Sequence, residues 1–240
     1  MEKKSDLPPF KSCKSKPNIV ANAFITFILG GFALGIISML GFTLIWLFTP
    51  DREPLLFKMT IVLLTLILAG LIIYLLVYVW KSYGHTGIMI DETGITYYYR
   101  NKKQVVKQVP WTAILKKPDE KSGSSSYDVN ELAPTYKGQT TMLQWWTLKD
   151  GKAGLESERF GAAGHSFHFI YLNRFTLIST FLLGLAHFRP DLRVNLGVFS
   201  AFYIHKDTYV FQKKKYIKDR LLVLVFIVVI ALAVYWFTEP

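Results

Sequence analysis

The sequence predicts an α-helical membrane protein with three transmembrane helices and one cytosolic α+β domain. Three observations predict this. A net charge of +11 coexists with 51% hydrophobic residues in a chain of 240, a pairing that one evenly mixed soluble domain rarely carries. The apolar residues are gathered into three charge-free runs, and the basic residues lie before the first run and between the second and third.

The first run, 19–48, holds thirty residues without Asp, Glu, Lys or Arg, where about twenty suffice to cross the hydrocarbon core as a helix. It is far longer than the apolar stretch of a cleaved signal peptide, and no small-residue cleavage site follows it, so it reads as a retained span. The second run, 59–80, completes a helical hairpin over 18–80. The third, 221–237, is the shortest, and its flanking aromatic residues extend it. A fourth apolar stretch, 175–186, is too short to cross. Asn173 and Pro190 bracket it as cap and stop, and Leu177, Phe181, Leu185 and Phe188 make one helical stripe, so it reads as a domain helix packed on a sheet.

Charge sets the orientation. Residues 1–17 carry +3, 49–58 carry zero, 81–220 carry +9 and 238–240 carry −1. Positive charge stays on the cytoplasmic side during insertion. The basic tail 1–17 and the domain 81–220 are therefore expected inside, with the C-terminus outside, in a bacterial inner (cytoplasmic) membrane. Trp46 and Trp236 then serve as anchors at the outer interface and Trp80 at the inner one. The spans hold no ionisable residue, which argues against a coupled transporter. Gly31 and Gly35 form a GxxxG pattern suited to close packing with span two or with another copy.

The domain opens with strands. Gly87–Asp91, a turn at Glu92-Thr93-Gly94, and 95–100 read as a hairpin, and 104–109 as a third strand before Pro110. Residues 142–148 and 167–172 read as two aromatic strands, the first stopped by Asp150-Gly151. Residues 118–138, rich in Ser, Pro, Gly and charge, read as a mobile loop, and 199–220 as an amphipathic lead into span three. Strands followed by one helix make an α+β plan, small enough for a single curved sheet closed by that helix.

Ile90-Asp91-Glu92-Thr93-Gly94-Ile95, followed after a basic strand by Val109-Pro110-Trp111-Thr112-Ala113-Ile114, resembles the opening of the bacterial pleckstrin-homology-like domains, which often follow a two-helix transmembrane hairpin. The resemblance covers about residues 86–115 and the order of elements. It implies a small seven-stranded barrel capped by one C-terminal helix, the place taken by 173–188. The insertion at 118–138 and the third span depart from the commonest arrangement, and the resemblance carries a fold more than an activity.

Catalytic chemistry is not visible. His165 and His168 fall on opposite faces of a strand and do not converge on one ion. The 161–166 glycine pair lacks the lysine of a phosphate loop, and neither a nucleophile elbow nor a zincin motif is present. Cys13 alone excludes an intrachain disulfide and a multi-cysteine zinc site, and it reads as a reduced bystander. No cofactor, metal or nucleic-acid partner is expected, since no recognised DNA- or RNA-reading motif accompanies the charge. The candidate surface for an anionic lipid headgroup or a partner protein is the basic cluster Lys102, Lys103, Lys107, Lys116 and Lys117, with the aromatic residues from Tyr97 onward and Trp145 and Trp146 beside it. The expectation is a non-catalytic membrane protein whose domain binds or scaffolds. The alternative is a membrane-embedded immunity or protective factor acting through its helices.

Overall fold

The computed structural model describes residues 7–49, 54–81, 86–99, 104–118, 126–132, 141–149, 151–161 and 170–238. Helix α1 spans Ile19–Phe48. Asn18 starts it, its side chain accepting from the Ala21 N–H at 3.1 Å, which satisfies one of the helix's free donors. Thirty residues rise about 45 Å, more than the ~30 Å hydrocarbon core. Helix α2 spans Leu55–Lys81, and α1 meets it through Ile36, Met39 and Leu40 against Thr65, Leu68 and Ala69. Both helices are long and apolar enough to cross a membrane.

The second helix begins at Leu55 rather than at the edge of the charge-free run, and the reason is Lys58. Its side chain is buried, its ammonium donates to the Thr49 carbonyl at 2.6 Å, and it lies 5.5 Å from the Trp46 ring. A lysine that answers the last carbonyls of the preceding helix does not end its own.

The domain contains two antiparallel sheets where the sequence predicts one. The first has the order β1-β2-β3-β4, with β1 at Cys13–Lys14, β2 at Gly87–Asp91, β3 at Gly94–Tyr99 and β4 at Gln104–Pro110. Asp91 shapes the β2–β3 turn, its Oδ1 accepting from the N–H groups of Thr93 at 2.8 Å and Gly94 at 3.2 Å. Gly94 sits at φ +144°, and a Cβ there would overlap the Val109 carbonyl, so this turn requires glycine. After a 3₁₀ turn at Trp111–Ala113, the second sheet contains β5 (Ile114–Leu115), β6 (Val129–Leu132), β7 (Met142–Lys149) and β8 (Lys152–Glu158). Strand β7 pairs with all three others.

Helix α3, Arg174–Phe188, closes the core. Leu177, Ile178, Phe181, Leu182 and Leu185 are buried. Phe181 lies 5.9 Å from Trp111, 4.9 Å from Trp145 and 5.5 Å from Phe160 between ring centroids. Gly184 lets the helix reach the Trp111 ring, which any Cβ there would overlap. Arg189 then ties the helix end to the sheet, donating to the carbonyls of Trp111 at 3.0 Å and of Ile114.

Several expectations need correction. Tail residues 7–17 are part of the domain: β1 adds to β2, Pro17 bridges Tyr171, and Phe10 packs on Trp111 and Phe188. The segment 118–138 is not wholly a loop, because β6 lies in it beside buried Asp128, whose carboxylate accepts from the Lys117 and Arg193 N–H groups at 2.8 and 2.7 Å. The lead 199–220, expected as one amphipathic segment, is divided: α4 (Leu196–Ala201) ends in a turn and α5 (Lys213–Thr238) begins afterwards. Of the expected strand 167–172, residues 167–169 lie outside the described residues, and Tyr171 makes only an isolated bridge.

Candidate functional site

Of the basic surface expected from sequence, Lys107, Lys116 and Lys117 lie among the described residues. Lys102 and Lys103 lie outside the described residues, as do His165 and His168. Lys107 projects from β4 and ion-pairs with Glu156 at 2.7 Å. Lys116 lies 3.9 Å from Asp191, and the Lys117 N–H is held by Asp128. Each of Lys107 and Lys116 thus has its own carboxylate neighbour, which weakens attraction for a headgroup. Trp145 and Tyr97 are buried in the core, so they offer packing rather than a surface. The Tyr97 hydroxyl lies beside Glu158, and burial first, then that carboxyl, pushes its pKa well up.

Among the helix residues, Gly31 and Gly35 face away from α2: a Cβ on either would meet no other atom within 4 Å. The hairpin therefore packs without them. Trp46 stands edge-on to Phe57 at 6.4 Å under the Lys58 ammonium, Trp236 is 82% exposed, and the Trp80 side chain lies outside the described residues.

What the fold does bring together is one end of the domain, where all three long helices join it. Asn173 is its pivot. The Asn173 carboxamide accepts from the Lys16 N–H at 2.7 Å and donates to the Lys14 carbonyl at 2.9 Å, holding the chain three residues before α1. The α1 start is fixed again by Asn18 N–H to the Ile170 carbonyl at 2.7 Å and by Asn22 accepting from the Ile170 N–H at 3.0 Å. Strand β2, entered from α2, arrives at the same place, with Ile88 and Ser15 exchanging bonds of 2.8 and 2.9 Å. Helix α5 leaves from there too, since Tyr216 in its first turn packs 5.0 Å from Phe175. Phe211, just before α5, stacks on Phe175 at 4.2 Å and 5°.

The polar groups at this end are strongly basic. Lys14, Lys16, Lys213, Lys214, Lys215, Lys218 and Arg220 flank the two helix starts, with Arg159 and Arg174 beneath them. Arg174 lies across the Phe175 and Phe202 rings at 5.7 and 5.6 Å. Its Nε donates to the Arg159 carbonyl at 3.0 Å and Nη2 to the Thr141 carbonyl at 2.8 Å. Cys13 sits half-buried nearby, and burial pushes its thiol up, the opposite of what activates a nucleophile. At the far end of α3, a cleft of ≈ 520 Å³ is lined by Leu182, Leu185, Phe199, Tyr209 and Arg189. Among the described residues no three His, Cys, Asp or Glu side chains are placed to share a metal ion.

The residues that sequence reasoning missed are Asn173 as a tether, Arg159 and Arg174. The only sequence signal for the tether is the run Lys14-Ser-Lys-Pro-Asn18, short and polar with no hydrophobic alternation. Comparison of the chain with protein-family models, with curated proteins and with solved structures gives no match.

Proposed function

We propose that this protein is a non-catalytic, membrane-anchored binding or scaffolding module of the bacterial inner membrane, with three spans and a cytoplasmic pleckstrin-homology-like domain. The observation that carries this reading is the junction at Asn173. The tail before α1, the strand after α2 and the start of α5 are bonded into one end of one domain. If α1 and α2 both span, tail and domain must lie on the same side, as those bonds require. Helix α5 then leaves from the face that meets the bilayer, with apolar side chains exposed from Leu221 to Trp236. Water would leave that surface unburied at a cost of roughly 25 cal/mol per Å², which supports α5 as the third span. The pleckstrin-like reading rests on the sequence resemblance over about 86–115, and the two separate sheets, the tail strand β1 and helix α4 differ from the single small barrel it implies.

The domain is tied to the starts of α1 and α5 by direct contacts, an arrangement suited to presenting a surface at fixed height and angle. In-membrane crosslinking of the full chain followed by affinity capture tests the binding role. A stoichiometric protein partner or a defined lipid supports it; recovery of neither, across growth conditions, overturns it. Cysteines placed singly at Lys206 and Thr238 in a Cys13→Ala background test topology, with Lys206→Cys reacting only after the membrane is opened and Thr238→Cys from outside.

A second reading, action through the helices as an immunity or protective factor, is favoured by the open Gly31/Gly35 face. Gly31→Ile with Gly35→Ile in the full chain separates the two: it abolishes a helix-borne function and leaves a domain-borne one.

A further inference from the structure

We propose that the three guanidinium groups of Arg159, Arg174 and Arg220 form a binding site for the headgroup phosphate of an anionic phospholipid at the foot of α1 and α5. This rests on the membrane-anchored reading above and gives it a ligand and a location.

The cluster is built, not scattered. Arg174 is held in place through two carbonyls and two aromatic rings, and Arg220 is laid over the Tyr216 ring at 5.3 Å, a ring that itself packs on Phe175. Arg159 immediately follows β8, and its carbonyl is the one Arg174 grips. Burial lowers the Arg174 pKa, Tyr216 offsets part of this, and the charges of Arg159 and Arg220 lower it further. Arg174 and Arg220 are joined through the Phe175 and Tyr216 rings, and the Arg159 backbone is bonded to Arg174. Like charges so gathered are unfavourable unless an anion joins them.

The nearby carboxylates are engaged elsewhere. Glu158 accepts from the Arg159 and Phe160 backbone N–H groups at 2.8 and 3.1 Å, and Asp219 faces the Tyr203 hydroxyl. Among the described residues the ion pairs leave Arg159, Arg174 and Arg220 without a carboxylate partner. A basic cluster whose arginines have no carboxylate partner among the described residues calls for an anion from outside.

Position selects the anion. Asn173, one residue before Arg174, holds the tail at the start of α1, and Arg220 is the last charge before the exposed apolar length of α5. A phosphate bound here has apolar helix surface directly beyond it, which suits a headgroup carrying acyl chains and not a free ion. Guanidinium forks match phosphate oxygens in pairs, and Lys213, Lys214 and Lys215 supply the diffuse attraction that draws anionic lipid to the surface.

The test uses the full chain in nanodiscs of phosphatidylcholine with and without phosphatidylglycerol, reading retained lipid by native mass spectrometry after transfer to detergent. Wild type is expected to keep phosphatidylglycerol selectively, Arg159→Gln and Arg220→Gln each to weaken retention about fivefold, and Arg220→Lys to weaken it less. Thermal melts of each variant confirm folding, and Arg220, on an exposed turn, remains informative if Arg159→Gln does not fold. Unchanged retention in both variants overturns the site. So does an equal loss when Lys213, Lys214 and Lys215 alone become Gln, or displacement by inorganic phosphate or an acidic peptide at concentrations below those of lipid. Exposure of Thr238→Cys on the same side as Lys206→Cys would instead sink the three-span reading, independently of the lipid measurement.

Discussion

Phe10 stands perpendicular to Trp111, 6.5 Å between centroids and 89° between planes. The tail residue thereby covers a ring that also stacks on Phe181 and Phe188. A residue nine positions before α1 is thus part of the wall of the core formed by residues more than a hundred positions later. Phe10→Ala removes this cover, and the expected loss is about 2–3 kcal/mol, below the range for a fully buried Phe because Phe10 is only half-buried. Thermal unfolding of the full chain in detergent measures it. A melting temperature equal to wild type would show that the tail rests on the domain without stabilising it.

Asn173 makes two bonds to the tail backbone, at Lys14 and Lys16. Asn173→Ala leaves the Lys16 N–H and the Lys14 carbonyl without those partners, each worth about 1 kcal/mol net. The strap should then open about thirty times more often. Trypsin reports this at the Lys14–Ser15 bond, since Lys16 precedes Pro17 and is not cut: wild type resists at Lys14, and the variant is cut there first. Equal cleavage rates would place the tether elsewhere along 8–18.

Much of this fold is legible in the sequence wherever a signal is local. Charge-free runs mark α1 and α2, the Asp91–Gly94 turn marks β2 and β3, and the stripe from Leu177 to Phe188 marks α3. The rest depends on distant partners. Strand β1 is two residues long, paired to a strand more than seventy positions away, so it has no period to detect. Strand β8, Lys-Ala-Gly-Leu-Glu-Ser-Glu, lacks β-branched residues and forms because β7 templates all seven of its positions; the Asp150-Gly151 pair, a two-residue hairpin signal, points to it. Basic residues were visible, but their neighbours were not. Lys107 looks like a free cation until Glu156 appears beside it, and Arg174 looks like an ordinary helix start until two carbonyls and two rings enclose it.

Lys58 links the ends of the helical hairpin, reaching the Thr49 carbonyl and the Trp46 ring. Lys58→Ala removes a charged hydrogen bond of roughly 1.5–3 kcal/mol and frees the last turn of α1. Hydrogen exchange at Thr49, whose N–H bonds to the Trp46 carbonyl, should accelerate by about tenfold or more. Lys58→Arg, which retains a donor and the ring contact, should restore protection. If exchange is unchanged in Lys58→Ala, the hairpin is held by the Ile36–Ala69 packing alone.

Glu158 makes stability depend on pH in a direction opposite to that of a typical paired carboxylate. Burial pushes its pKa up, and the N–H groups of Phe160 and Arg159 only partly offset this. The folded state therefore holds the proton more tightly than the unfolded chain, whose Glu titrates near about 4.3. Where the native state binds more protons, stability falls as pH rises. The contribution is fully present below the unfolded value, is lost as pH climbs from there through the raised folded value, and is constant above it. Asp191, lowered by its bond to Arg189, acts the other way, losing stability as pH falls, but it does so equally in any Glu158 variant. Glu158→Gln keeps an acceptor for the two N–H groups and removes the titration. Its melting temperature relative to wild type should rise from acid toward neutral pH and then level. A difference that shrinks over the same range would mean that the fold prefers the carboxylate, and that Tyr97 and the backbone donors outweigh burial.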